Sequence, residues 1–209
     1  MKARPLVALI DGPLAGAQQE LHCALHPLAA GSPAARHAAV MAACIRAAAP
    51  EACFISHAIF PGRLSTTAAS AAAALSAAAK GGAVIVHCSF GLTGRDPALT
   101  DAVAELMAAG KRIVASAPAQ GRPVYPAAFP GVYSVQGDAR CGLEEWSLLK
   151  LPGAHYGACP RDAASGLAGA SVAAAHFTGL LMRELAAGRG PEMAGAAFRG
   201  RERRSGAGR

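Results

Sequence analysis

Gly169-Ala170-Ser171-Val172-Ala173-Ala174-Ala175-His176-Phe177-Thr178-Gly179 sets a serine among small residues, just where an apolar run of helical character begins. Small neighbours let a second backbone approach closely. A helix N-terminus carries partial positive charge, and here that charge would lie beneath an oxyanion formed at Ser171. The stretch therefore predicts a closing helix over 171–187 with a serine at its mouth. Taken alone, such a serine is an ordinary small-residue helix start. It becomes a nucleophile only if an acid and a base stand in suitable settings upstream.

Working outward, strands and helices alternate. Short apolar runs at 6–10, 53–60, 83–89, 112–116 and 131–135 read as strands, several of them continuous enough to be buried on both faces. Segments 34–48, 66–80, 97–109 and 171–187 read as helices, with Gly81-Gly82 and Gly110 as stops. Residues 12–33, including His22 and His26, read as a loop, and the stretch before 171 as a long irregular region. The alternation predicts an α/β fold: a mostly parallel sheet with helices on both faces. Ligands in such sheets lie beyond the carboxyl ends of strands. That points to Asp11-Gly12, to Ser89-Phe90-Gly91 and to the segment after Ser116. One domain is expected over 1–188, followed by a flexible basic Gly/Arg-rich tail over 189–209.

The chain has 209 residues, 53% of them apolar but only 5% aromatic, so its core must be built from Ala, Val, Leu and Ile. The net charge of +7 is uneven: six arginines against two glutamates from Arg189 onward put +4 of it in the tail. No aromatics interleave with those charges, which argues against nucleic acid as the partner. The apolar run after the basic N-terminus ends at Asp11, shorter than the about 7–15 residues of a signal-peptide core. No run unbroken by Gly, Ser or charge approaches the roughly 20 residues of a membrane span. A cytoplasmic protein without a membrane span is expected. The six cysteines form no C-x-x-C pair and show no metal-ligand spacing, so neither a metal nor a cofactor is expected. Cys44, Cys53 and Cys88 read as small core hydrophobes. A bond between Cys141 and Cys159 stays open. No Gly-x-Gly-x-x-Gly turn or P-loop lysine follows the first strand, which argues against a nucleotide binder.

Asp11 ends a buried strand, where a carboxylate is costly unless hydrogen-bonded. It is either a turn residue before Gly12-Pro13 or a carboxylate that orients a histidine. His37 lies at the start of a predicted helix. His22 and His26 compete with it as a base, but from within the loop. His87, inside a buried strand, is expected to hydrogen-bond within the core, and His176 to be structural.

Val7-Ala8-Leu9-Ile10-Asp11-Gly12 resembles the Val-Ala-Val-Ile-Asp-Ser/Thr-Gly motif of subtilisin-like serine proteases (peptidase S8 type). His37 to Ile45, with Ala49-Pro50-Glu51-Ala52 after it, resembles the family's histidine helix. The opening stretch resembles Gly-Thr-Ser-Met-Ala-x-Pro-His-Val-x-Gly. Val84 to Gly91 resembles Val-Ile-Asn-Met-Ser-Leu-Gly, and Tyr125-Pro126-Ala127 with Pro130-Gly131-Val132 matches a further family segment. The resemblance runs from about Leu6 to Ala187. It implies a subtilisin-like three-layer fold and an Asp11–His37–Ser171 triad, in the chain order of subtilisins. It also implies a substrate cleft lined by Ser89, Phe90 and Gly91. The family's oxyanion asparagine is replaced by Ala119. The backbone N–H of Ser171 remains as one donor, and the adjacent Gln120 is the candidate for the other. A serine endopeptidase acting on a peptide or protein follows. The lack of a pro-region and of Asp-rich calcium loops suggests an intracellular processing enzyme. Its compact form resembles the proteases that remove the leader peptide from the cross-linked small-subunit precursor of quinohemoprotein amine dehydrogenase. The alternative is a catalytically inactive subtilisin-fold peptide-binding module.

Overall fold

The computed structural model describes residues 5–23, 31–149 and 151–188. In chain order the elements are β1 (Leu6–Asp11), β2 (Gln18–Leu21), α1 (Pro33–Ala48), β3 (Cys53–Ala58), α2 (Ala68–Lys80) and β4 (Ile85–Cys88). There follow α3 (Pro97–Ala108), β5 (Arg112–Ser116), β6 (Tyr133–Gly137), β7 (Trp146–Leu148), β8 (Tyr156–Ala158) and α4 (Ala170–Ala186). One eight-stranded sheet runs β2-β3-β1-β4-β5-β6-β8-β7. Every pairing is parallel except that of β7 with β8.

The alternation of side chains along a strand divides the core into two layers. From β1, Val7 and Leu9 pack with Met41 and Ile45 of α1 and Leu180 and Leu181 of α4. Ala8 and Ile10 pack on the other face with Leu75 of α2 and with Leu99 and Leu106 of α3. This is the expected α/β sandwich, with α1 and α4 on one side and α2 and α3 on the other. By the same alternation, Asp11 falls on the α1/α4 side.

Local chemistry starts each of the first three helices. Ser32 accepts from the Ala35 N–H at 3.1 Å and Pro33 occupies the first helical position, so α1 begins where its fixed φ fits. Thr67 caps α2 and Asp96 caps α3 in the same way.

Three strands were missed in the sequence. β2 lies in what read as a loop, and β7 and β8 lie in the long irregular region. That region is tied by Asp138, whose carboxylate accepts from Arg140 Nε at 2.9 Å and from Ser147 Oγ at 2.6 Å. The Arg140 hydrogen bond, with that of Ser147, holds the Asp138 carboxyl well below the usual carboxylate range. The fifth predicted strand also shifts, from 131–135 to Tyr133–Gly137. All six cysteines are free, so no Cys141–Cys159 bond forms. Cys44 and Cys88 are buried, whereas Cys53 is partly exposed. The predicted tail over 189–209 and the competing His26 lie outside the described residues. No helix among the described residues is long and apolar enough to cross a membrane.

Candidate active site

β1 and β4 are neighbours in register, with Ile10 opposite Cys88. The next residues, Asp11 and Ser89, therefore leave the sheet side by side at its carboxyl edge. Gly12 lets α1 close over this point. A Cβ there would sit 2.2 Å from the Ala34 carbonyl oxygen, so only glycine permits the approach. His37, in the second turn of α1, is thereby brought down onto Asp11.

The result is a fully buried carboxylate with three donors. His37 Nδ1 lies 2.8 Å from Asp11 Oδ2 and 3.0 Å from Oδ1. The Gly12 N–H donates to Oδ1 at 2.6 Å, and the Ser89 hydroxyl donates to Oδ2. These donors offset the cost of burying the charge. Burial opposes protonation of His37, but the hydrogen bond and charge of Asp11 outweigh it, so the His37 pKa is raised. With Nδ1 occupied by Asp11, Nε2 is the nitrogen left for a reacting proton.

Ser171 sits in the first turn of α4, half-buried. Its hydroxyl donates to the Ser89 carbonyl at 3.3 Å. Ser89 thus joins the two halves of the site: its hydroxyl reaches Asp11 and its carbonyl holds Ser171. Gly169, the N-cap of α4, has φ 133°, a region that favours glycine, and no side chain caps the helix. The first-turn N–H groups are left for a ligand rather than a cap. Gly179 performs on α4 what Gly12 performs on α1. A Cβ there would lie 2.4 Å from the Ile45 carbonyl oxygen, so the residue sets how closely α4 lies against α1.

The other expected residues are placed as follows. Phe90 is buried in the α2/α3 core layer, and Gly91 is exposed beside Val124, which its missing Cβ would strike at 2.6 Å. Leu92 and Tyr125 form an antiparallel bridge just beyond. Ala119 and Gln120 are exposed in the loop after β5. Both line a cavity of about 230 Å³ with Arg122, Gln136, Leu151 and Ala154. His87 lies in the core as expected, with Nδ1 2.8 Å from Thr178 Oγ1. Thr178 passes its own proton to the Ala174 carbonyl, so Nδ1 of His87 is the donor and the buried Nε2 has no partner. Burial, with the nearby His37 charge, lowers the His87 pKa to about 3. His176 donates to the Cys159 carbonyl at 2.9 Å, a structural contact. His22 lies against His57, not near Asp11.

The hydroxyl contact of Ser89 with Asp11 was missed in the sequence, where Ser89 was read only as a cleft residue. The register of β1 with β4 is the signal that would have found it.

No protein-family model matches the chain, and no curated protein matches it. Solved structures do. The prenylagaramide maturation protease PagA superposes with a TM-score of 0.66 at 18% identity, covering 90% of this chain and 79% of that one. A serine-to-alanine mutant of the protease domain of PatA gives 0.64 at 22% identity, covering 91% and 86%. The self-cleaved protease domain of PatA gives 0.61 at 23%, covering 90% and 83%. The chain has the subtilisin-like fold. Within that fold, Asp11 stands at the carboxyl end of β1, His37 in the second turn of α1 and Ser171 at the start of α4.

Proposed function

We propose that the protein is a serine endopeptidase of subtilisin type, with Asp11, His37 and Ser171 as its triad. The observation that carries this reading is the buried Asp11–His37 pair, linked through Ser89 to a serine at an uncapped helix N-terminus. In the reaction, the Ser171 hydroxyl turns from the Ser89 carbonyl to His37 Nε2 and gives up its proton as Oγ attacks the scissile carbonyl. Asp11 stabilises the imidazolium that results and keeps Nδ1 protonated, which leaves Nε2 as the base. The imidazolium then returns the proton to the leaving amine. Water hydrolyses the acyl-enzyme by the same path. The Ser171 N–H faces the developing oxyanion, and the Gln120 side-chain amide supplies the second donor from the neighbouring loop.

The substrate would be a precursor peptide cut at a defined leader site. Support comes from the maturation role named for PagA, a structural neighbour of this chain. The leader of a cross-linked quinohemoprotein amine dehydrogenase small subunit is one such substrate. Labelling with a fluorophosphonate probe, read by intact mass, tests the reading. Wild type should gain one adduct and Ser171→Ala none. Absence of an adduct on wild type, with or without a candidate precursor, would overturn it.

A second reading, an inactive peptide-binding module, draws on two observations. Alanine stands at the oxyanion-asparagine position, and the Ser171 hydroxyl is engaged by Ser89. In that case a precursor peptide would bind wild type and Ser171→Ala alike, and neither would cut it.

A further inference from the structure

Glu20, His22 and His57 form a second polar cluster, at the opposite edge of the sheet from β7. β2 is the outermost strand and pairs only with β3, with Glu20 directly opposite His57. His22 follows Glu20 by two residues and so returns to the same side. His57 is also in register with Ile10, which packs against α2 and α3. The cluster therefore lies across the sheet from Asp11 and His37.

Three ligand atoms converge there. His22 Nε2 and His57 Nδ1 are 3.1 Å apart, His57 Nδ1 and Glu20 Oε2 are 3.4 Å apart, and His22 Nε2 and Glu20 Oε2 are 3.9 Å apart. A tetrahedral metal with bonds of about 2.0–2.1 Å separates its ligand atoms by about 3.3 Å. The observed triangle brackets that value.

We propose that Glu20, His22 and His57 bind a divalent transition metal of the zinc class through Oε2, Nε2 and Nδ1. Water fills the fourth position. Two imidazoles and one carboxylate are a zinc-type donor set. The metal would clamp β2, a four-residue strand with three polar residues, onto β3. The sequence gives no hint of the site, because Glu20 and His22 fall in a segment that reads as a loop and meet His57 only across the β2–β3 pairing.

The test uses the full chain, stripped with chelator and titrated with Zn²⁺ by calorimetry and with Co²⁺ by absorbance. Wild type should take up one equivalent. The cobalt spectrum should be that of a four-coordinate nitrogen/oxygen site without a thiolate band, and zinc should raise the melting temperature. His22→Gln and Glu20→Gln should each weaken binding by more than the about 10–100-fold typical of losing an outer-shell partner. Circular dichroism would verify that these variants fold. If they do not fold, the wild-type cobalt spectrum decides alone. No saturable binding by folded wild type, unchanged affinity in both variants, or a thiolate band would each overturn the site.

Discussion

His37 and His57 are both buried imidazoles beside an acidic side chain, yet their pKa values move in opposite directions. Burial opposes the charged form at both. At the carboxyl end of β1, Asp11 is fully buried and bonded directly to Nδ1, and the His37 pKa rises. At the β2–β3 edge, Glu20 keeps 36% of its side chain exposed, stands 3.4 Å away and shares His57 with a second imidazole. There burial prevails and the pKa falls to about 4. The number of acidic neighbours does not separate the two. What separates them is whether the carboxylate is itself desolvated and held in place. One region favours a charged imidazole, the other a neutral one.

The sharpest way to break this comparison is Asp11→Asn. An orienting carboxylate replaced by an amide costs a serine protease about 10⁴-fold in rate, and fluorophosphonate labelling of Ser171 should slow by that order. Burial of His37 remains in the variant, so its pKa should fall below the ordinary value of about 6.5. NMR titration of the imidazole would read this directly, and a His37 that stayed raised would sink the account. The sign for stability follows. A raised folded-state pKa contributes stability that is complete below about 6.5 and lost as pH rises through the folded value. Denaturant melts should therefore show wild type losing its advantage over Asp11→Asn as pH rises through that window.

Ser89→Ala comes next. It removes one hydrogen bond to a charged group, worth about 1.5–3 kcal/mol, and labelling should slow about ten- to a hundredfold. The fold should survive, because the backbone carbonyl that holds Ser171 is untouched. A rate equal to wild type would mean that Asp11 is held by Gly12 and His37 alone.

Gly179→Ala tests whether helix spacing sets the site. The added Cβ meets the backbone of Ile45, so α1 and α4 must part. Overpacking of this kind costs about 1–3 kcal/mol. Chemical denaturation should reveal that loss, with slower labelling because His37 rides on α1 and Ser171 on α4. Gly94→Ala is the control, since nothing lies within 4 Å of its Cβ position. The smallest effect is expected from Ser32→Ala, which removes the α1 cap at a cost of about 1 kcal/mol. A thermal melt would detect it, and the His37 pKa should not move.

The strands and helices that build the central sheet were legible because their signals are local. Leu6–Ile10 and Ala83–Ser89 are continuous apolar runs, Gly81 and Gly110 stop helices, and Asp11, His37 and Ser171 stand where such runs begin or end. β2, β7 and β8 were not legible. Gln18–Leu21 is mostly polar, and Trp146–Leu148 and Tyr156–Ala158 are three residues each. Segments so short carry no usable period, and they are strands only because a neighbouring edge offers backbone partners.

By itself, the sequence determined the order of five of the strands and of the four helices, and it named the three residues of the proposed triad, since all of these are written in short contiguous stretches. Tertiary structure alone decided what holds those residues. Ser89 reaches Asp11 across 78 residues of chain, Gly12 and Gly179 act only through backbones they touch in the fold, and His57 meets Glu20 and His22 only once β2 has paired with β3. Hydrogen bonds and close approaches form between surfaces, and no surface exists until the chain has folded.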